Sequence, residues 1–457
     1  MGVMIRTREL HLPGGPLDWL ARASDRSHPV LLRLPAGGGT HQRRGILLSW
    51  GPAEWATAAD GNLLERLARW TAERAVPARA DLPFAGGAIG HFEYAGRVPG
   101  YPPEAPLALA GWWGWYDRFL LHDGDRGTTL AVVRGEADQL DAWVEEVQAV
   151  AQRPVPVEPG DFSREGEPAT LPTSDLGRAD YEARVRRAQE WIAAGDIYQV
   201  NLAQRFQGEH RGSAVGLFRS LWEANPAPAA AYLDTGPRQI LSSSPEWFLT
   251  GRLGGPVETR PIKGTRPRSA DSARDRQLAR ELRGNRKEQA ELLMIVDMER
   301  NDLGRVCRPG TVRAERPFAI ESFASVHHLV GRVRGELRAG VGWPELFAAT
   351  YPGGSITGAP KLRAMEILAA LEPSPRRAFC GTIGCLSADG QIHTNIAIRT
   401  LEKEGDSLSF GVGAGIVADS DPAAEYEETL NKAERLLAAA GWAAVDPARA
   451  HDRRVAG

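Results

Sequence analysis

Residues 260–268 read RPIKGTRPR, which sets one lysine, Lys263, beside a glycine and among Arg260, Arg266 and Arg268, with Glu258 the nearest carboxylate along the chain. Positive neighbours and burial both lower the pKa of a lysine, and a neutral amine is a nucleophile. The same nine residues also fit a basic anion-binding loop that does no covalent chemistry. The loop alone leaves both readings open.

Carboxylates recur at helical spacing in two places. NRKEQAELLMIVDMERNDL (285–303) puts Glu288 and Glu291 three residues apart on one predicted helical face. A second helix is predicted from Asp421 as N-cap with Pro422 in its first turn, and it aligns Glu425, Glu428 and Lys432. Either face alone reads equally well as a solvated charged stripe. Brought together, they would form an oxygen-rich site with room for water, which suits Mg2+. PGGSITGAPK (352–361) has the glycine spacing of a phosphate loop, but Ala359 stands where that loop needs lysine, which excludes nucleotide binding. Its small residues, Ser355 and Thr357 among them, can still cradle an anion. In SVHHLVG, His327 and His328 are neighbours on a predicted strand, so at most one of them reaches a given site.

The elements that must position these groups belong to an ordinary globular chain. It has 457 residues, 25% charged and 42% hydrophobic, with a net charge of −3, a balance that argues against a general nucleic-acid or membrane-surface binder. No run approaches the roughly 18 apolar residues of a membrane span, and the opening MGVMIRTRELHLPGG lacks the apolar stretch of a signal peptide. Three cysteines, Cys307, Cys380 and Cys385, form neither a disulfide framework nor a zinc spacing, which points to a reducing cytoplasm. The Pro-, Gly- and acid-rich stretch within 151–175 reads as a linker between an N-terminal region, 1–150, and a larger part, 176–440, followed by a tail, 441–457. Residues 178–194 predict a helix with Tyr181, Val185, Ala188 and Ile192 on one face. DIYQVNLAQRF, IHTNIAIRTL and LSFGVGAGIV each read as one strand, and Gly411, Gly413 and Gly415 leave one face of the last bare for a ligand or another backbone. Long helices and strands without regular alternation predict an α+β fold with a large antiparallel or mixed sheet.

The motifs SSSPEWF, RPIKGTRPR, KEQAELLMIVDMERNDLGRV, SVHHLVG, PGGSITGAPKLRAMEI, CGTIGCLSADG, TNIAIRT and GAGIVADSDPAAEYEETLNK follow the order found in chorismate-utilising enzymes, and the chain resembles that family over about residues 175–440. PFAGGAIGHFEYAGR extends the likeness, more weakly, toward the N-terminus. The resemblance implies two large antiparallel or mixed sheets packed as a sandwich with flanking helices. It also implies chorismate as substrate and Mg2+ as cofactor. Anthranilate-forming members resemble P-I-A-G-T where this chain has P-I-K-G-T, the form of the branch that aminates C4.

Residue by residue, the resemblance gives Glu246 as the general acid for the C4 hydroxyl and Lys263 as a covalent nucleophile at C2, displaced when ammonia attacks C4. Glu291 and Glu428 match the magnesium ligands, with Glu288 and Glu425 beside them. Arg399 and Lys432 match the cations that grip the enolpyruvyl carboxylate, the amides of Gly413 and Gly415 add hydrogen bonds, and Thr265, His328 and Ser355 complete the pocket. Gln199 stands where water-using relatives have a lysine base; an amide is no base, which fits ammonia as the nucleophile. Phe379 replaces a tyrosine of many relatives, which puts one hydroxyl contact to the substrate in doubt. No cysteine sits in a glutaminase elbow, so ammonia is expected from a separate glutamine amidotransferase subunit. The alternatives are an anthranilate synthase large subunit or a non-catalytic amino-acid-binding relative. Against the latter, Leu47-Leu48-Ser49-Trp50 matches poorly the stretch with which relatives bind tryptophan.

Overall fold

The computed structural model describes residues 4–35, 44–79, 81–95, 108–156, 172–323 and 326–442. Its strands form two large sheets in which every named pairing is antiparallel. One sheet runs from Ile5–Leu10 through Thr128–Arg134, Arg118–Asp123, Arg44–Ser49 and Val30–Pro35 to Ala229–Asp234, Gln239–Ser244, Thr400–Glu404, Ser407–Ile416, Gln199–Glu209 and Gly358–Ala359. The other runs from Ile262–Pro267 through Val326–Glu336, Pro256–Thr259, Trp247–Arg252, Gln391–Asn395, Thr382–Ser387 and Gly87–Phe92 to Gly111–Tyr116 and Glu54–Thr57.

The sheets face each other across a shared core in which Leu32, Val132 and Ile240 of the first meet Ile89, Trp112 and Ile383 of the second. Runs such as ILLSW are apolar at successive positions because both faces of the strand are covered. Leu47 points into the core between the sheets, and Leu48 joins the core beneath the outer helices. The helices Pro16–Arg22, Ala137–Ala151, Ala214–Ala224 and Pro422–Ala439 cover the first sheet. Leu63–Glu73, Arg286–Gly304 and Trp343–Thr350 cover the second. Asp421 caps its helix as the sequence put it, accepting from the amide of Ala424 at 2.8 Å, and Asn285 caps the other carboxylate-bearing helix, accepting from that of Glu288 at 3.1 Å. Residues 5–134 supply strands to both sheets, so the 151–175 stretch separates two lengths of chain and not two sheets. Of that stretch, 157–171 lie outside the described residues, as do 443–457 of the tail.

IHTNIAIRTL is not one strand. Gln391–Asn395 belongs to the second sheet and Thr400–Glu404 to the first, with the chain crossing between them at 396–399. It crosses in the opposite direction at Pro245 and Glu246, from Gln239–Ser244 into Trp247–Arg252. The two crossings are bound to each other. The amide of Ile396 donates to the Glu246 carbonyl at 3.0 Å, that of Ser243 to the Arg399 carbonyl at 3.0 Å, and the Ser244 hydroxyl to the Ile396 carbonyl at 2.6 Å. Alternation along a sequence shows which residues are extended, but not where an extended run leaves one sheet for another.

Behind the second sheet, the helix Trp343–Thr350 leads into the 352–361 loop and is anchored by Phe347, which is fully buried, with ring centroids 5.2 Å from Phe92 and 6.3 Å from Tyr351. Phe347→Ala is expected to cost about 3–5 kcal/mol of stability through lost burial and the cavity left behind. A urea titration monitored by circular dichroism checks this.

Candidate active site

The strand Ile262–Pro267 pairs with Val326–Glu336, and the register slips between Lys263 and Thr265. The extra residue is Gly264, at φ +71, where an added Cβ would lie 1.3 Å from Oε2 of Glu288. Conformation and space both exclude a side chain there. Around this bulge Lys263 and Thr265 both line a cavity of about 700 Å³ between the ends of the two sheets. The Lys263 side chain makes no hydrogen bond or ion pair among the described residues. Burial lowers its pKa; Glu291, Glu246 and Glu428 oppose that shift, and Lys432 adds to it. Of the two causes the sequence suggests, burial holds and the neighbouring arginines do not. Arg260 is paired with Glu321, Arg266 with Glu288 at 3.0 Å and Arg268 with Asp275 at 2.9 Å, so their charges are largely compensated.

Glu246 sits on the first sheet crossing, 4% exposed, with its backbone held by Ser244 and Ile396. Burial pushes its carboxyl up to about 7, against the opposing pull of Ser355 and Lys263. An acid with this pKa is protonated often enough near neutral pH to serve as a proton donor. The Ser355 hydroxyl beside it is buried and has no partner of good hydrogen-bond geometry. The loop that carries Ser355 is braced by Arg376, which donates to the carbonyls of Ile356 at 2.8 Å and Asn201 at 2.7 Å and pairs with Glu372 at 2.6 Å. Arg399, on the second crossing at φ +51, reaches the same cavity.

The four carboxylates expected together do share the cavity, two from a helix on each sheet. Burial raises Glu291, and the charges of Glu428 and Glu288 add to the shift against the pull of Lys263 and Lys287. Burial also pushes Glu428 upward, but Lys432, at 2.7 Å, together with Lys263 and Lys287 outweighs it and leaves the carboxyl lowered. Glu288 Oε1 bonds Arg266, whereas Oε2 is buried without a partner. Glu425 accepts from Ser420 at 2.7 Å. Among the described residues no three acidic or histidine side chains are drawn into one ligating cluster. An orphaned oxygen and two mutually repelling carboxylates fit a hard cation bound by few protein ligands, with water and substrate oxygens completing its shell.

His328 lines the cavity and His327 does not, as strand alternation requires. Burial, with Arg399 nearby, takes His328 down to about 3, so the ring is neutral; Nδ1 lies 2.9 Å from the Thr265 hydroxyl and Nε2 is unpartnered. Lys432 donates to the Gly413 carbonyl at 2.8 Å. Gly413 and Gly415 face the cavity, but the bare strand face is partly filled from within the protein. An added Cβ at Gly411 would meet the Phe379 ring at 2.3 Å, and one at Gly415 the Gln199 amide at 2.8 Å. Gln199 itself is fully buried and does not line the cavity. Its amide lies against Gly415 and reaches Asn201 at 3.4 Å, which corrects its expected place among the substrate-binding residues. Lys287, Asn225 and Arg376 also line the cavity and were not foreseen, because each is an unremarkable residue of a helix, a cap or a turn in the sequence.

Residues 34–438 match the family model described as chorismate binding enzyme. Aminodeoxychorismate synthase component 1 of Salmonella typhimurium is 41% identical over 362 residues, covering 78% of this chain and 77% of that protein. Anthranilate synthase component 1 of Streptomyces coelicolor is 38% identical over 406 residues, covering 83% and 77%. Among solved structures, anthranilate synthase component I from Streptococcus pneumoniae superimposes with a TM-score of 0.73 at 28% identity, covering 88% of this chain and 92% of that one.

The raised carboxyl of Glu246 has a consequence for stability. The folded state holds this proton more tightly than the unfolded chain, so between about 4.5, the ordinary value, and about 7 stability falls as pH rises. Glu246→Gln removes that penalty. The variant is expected to be more stable than the parent above pH 7, by up to about 3 kcal/mol, with the gain vanishing below pH ~4.5. Urea titrations at pH 4, 6 and 8 test the trend.

Proposed function

Because this chain belongs to the chorismate binding enzyme family, we propose that it converts chorismate and ammonia to 4-amino-4-deoxychorismate through a covalent bond to Lys263. The observation that carries this reading is a half-buried lysine, its side chain without a hydrogen bond or ion pair, sharing one cavity with a buried, proton-holding glutamate. The relative from Salmonella, named for the same reaction, supports it. In the first half-reaction the neutral Lys263 amine forms a bond to C2, the ring double bonds shift, and the C4–O bond breaks. Glu246 gives its proton to the departing hydroxyl, which leaves as water. That leaves the C2-bound nitrogen as an ammonium and Glu246 as a carboxylate. Ammonia then bonds to C4, the double bonds shift back, the C2–N bond breaks with its pair on Lys263, which leaves as a neutral amine, and the new C4 ammonium returns one proton to Glu246. Arg399 and Lys432 hold the enolpyruvyl carboxylate, and Thr265, His328, Ser355 and the amides of Gly413 and Gly415 fix the ring. A separate glutamine amidotransferase subunit supplies ammonia in the cell, and the three buried cysteine thiols suit the reducing cytoplasm assigned to the complex. No described helix is long and apolar enough to cross a membrane.

Glu291 and Glu428 would hold a magnesium ion, with Glu288 and Glu425 beside them through water. When bound it would neutralise the ring carboxylate and withdraw electron density from the ring.

Two expectations test this reading. With chorismate, Mg2+ and an ammonium salt, the parent should form the para-amino product, and Lys263→Ala should lower that rate by orders of magnitude. Residual amination should shift toward the ortho isomer, and Lys263→Arg should be no better, since guanidinium stays protonated. Parent-like para product from Lys263→Ala, separated by chromatography, would reduce Lys263 to an anion-binding residue. The second expectation concerns the cation: chelator should abolish turnover and Mg2+ restore it, and Glu291→Gln or Glu428→Gln should mimic the loss. Near-normal rates in either variant would remove that residue from the ligand set.

A further inference from the structure

The cationic end of the cavity is organised by a neutral residue. Arg399 has no carboxylate within ion-pair distance among the described residues. Its Nη1 donates instead to Oδ1 of Asn225 at 3.2 Å, and the same oxygen accepts from Nη1 of Arg435 at 3.3 Å. Asn225 closes the helix Ala214–Ala224, lines the cavity and is only 1% exposed. Its orientation is fixed from the other side. Nδ2 donates to the hydroxyl of Ser243 at 3.0 Å and to its carbonyl at 3.3 Å, and the Ser243 hydroxyl returns a bond to the Asn225 carbonyl. The Ser243 amide donates in turn to the carbonyl of Arg399, whose backbone is held in the left-handed region. One closed set of hydrogen bonds thus fixes the arginine's backbone, its guanidinium and the oxygen that guanidinium touches.

Buried guanidinium groups ordinarily have a carboxylate partner. Here the position best placed to provide one carries an amide, so the charge of Arg399 is held in place without being cancelled. Burial and the neighbouring Arg435 together lower Arg399 to about 10, which agrees with a cation lacking its counter-ion.

We propose that Asn225 is a positioning residue that holds Arg399 uncompensated, so that the carboxylate of the substrate's enolpyruvyl group becomes its counter-ion. The inference rests on the chorismate reading above and adds a residue that sets affinity for a dicarboxylate. Asn225→Asp separates this role from a merely structural one. Aspartate keeps the shape and the acceptor toward the arginines and gives up the Nδ2 donor to Ser243, while its charge would pair with both guanidinium groups.

The variant is expected to melt within a few degrees of the parent. Its KM for chorismate should rise about ten- to a hundredfold, with kcat changed less than about threefold, because the lost interaction is made equally before and during reaction. Inhibition by benzoate, which has a ring carboxylate and no enolpyruvyl group, should change little. Should the aspartate variant not fold, Asn225→Ala serves. It loses the orienting oxygen, so chorismate binding, followed as a thermal shift, should weaken several-fold while benzoate binding does not. An unchanged KM in a folded Asn225→Asp, or equal weakening toward chorismate and benzoate, would overturn the proposal while leaving the chorismate reading intact. A parent protein that does not bind chorismate at all would overturn both.

Discussion

The site depends on two places where the chain leaves one sheet for the other. Glu246 and Arg399 lie on these crossings, and the crossings hydrogen-bond to each other, so neither residue can shift without the other. Everything else in the cavity is referred to this joint. Lys263 comes from an edge strand of one sheet, the glycine strand from the other, and each sheet contributes one helix bearing two carboxylates. A cavity between sheet ends needs a floor, and the crossings supply it with main-chain groups already satisfied by each other, which leaves the side chains free for chemistry.

Burial then sets the protonation states. In water a glutamate and a lysine near each other would ionise and pair. In this cavity the cost of removing both charges from water pushes the glutamate up and the lysine down, toward a neutral acid facing a neutral amine. That is the combination needed by a step in which one group donates a proton while the other donates an electron pair. The charged groups of the site divide differently: Lys432 pairs with Glu428 of the carboxylate cluster, whereas Arg399 has no carboxylate partner among the described residues. A dianionic substrate that reached both would meet unlike surroundings at its two carboxylates.

Local signals were read well from the sequence and long-range ones poorly. The cap Asp421, the helix beginning at Arg178 and the i, i+3 carboxylate pairs are all where periodicity and capping put them, since each rests on residues a few positions apart. Likeness to a family brought Glu246 and Arg399 into view; as isolated residues they were a turn acid and a strand arginine. The lowered pKa of Lys263 was foreseen, with burial rightly and the neighbouring arginines wrongly named as its causes. Its neighbouring arginines are compensated by Glu288 and Glu321, carboxylates 22 and 61 positions away from their partners, which no local reading could supply. Gln199 failed in the same way: likeness to the family gave its position along the chain, but not that its side chain would pack against Gly415 and stay out of the cavity lining. Asn225 gave no signal at all, because an asparagine at a helix end is ordinary until its two arginine neighbours are known.

The bulge at Gly264 makes position 263 replaceable. The frame of the loop is held by the register slip, the left-handed glycine and the carboxylate of Glu288 packed over it, and the Lys263 side chain makes no hydrogen bond or ion pair that supports this frame. A different residue at 263 would inherit the same direction, depth and surroundings without disturbing its neighbours, whereas a change at 264 would collide with the carboxylate of Glu288. Such a layout lets one codon alter the reaction while the binding cavity is kept, and it places the boundary between innovation and loss of fold within two adjacent residues.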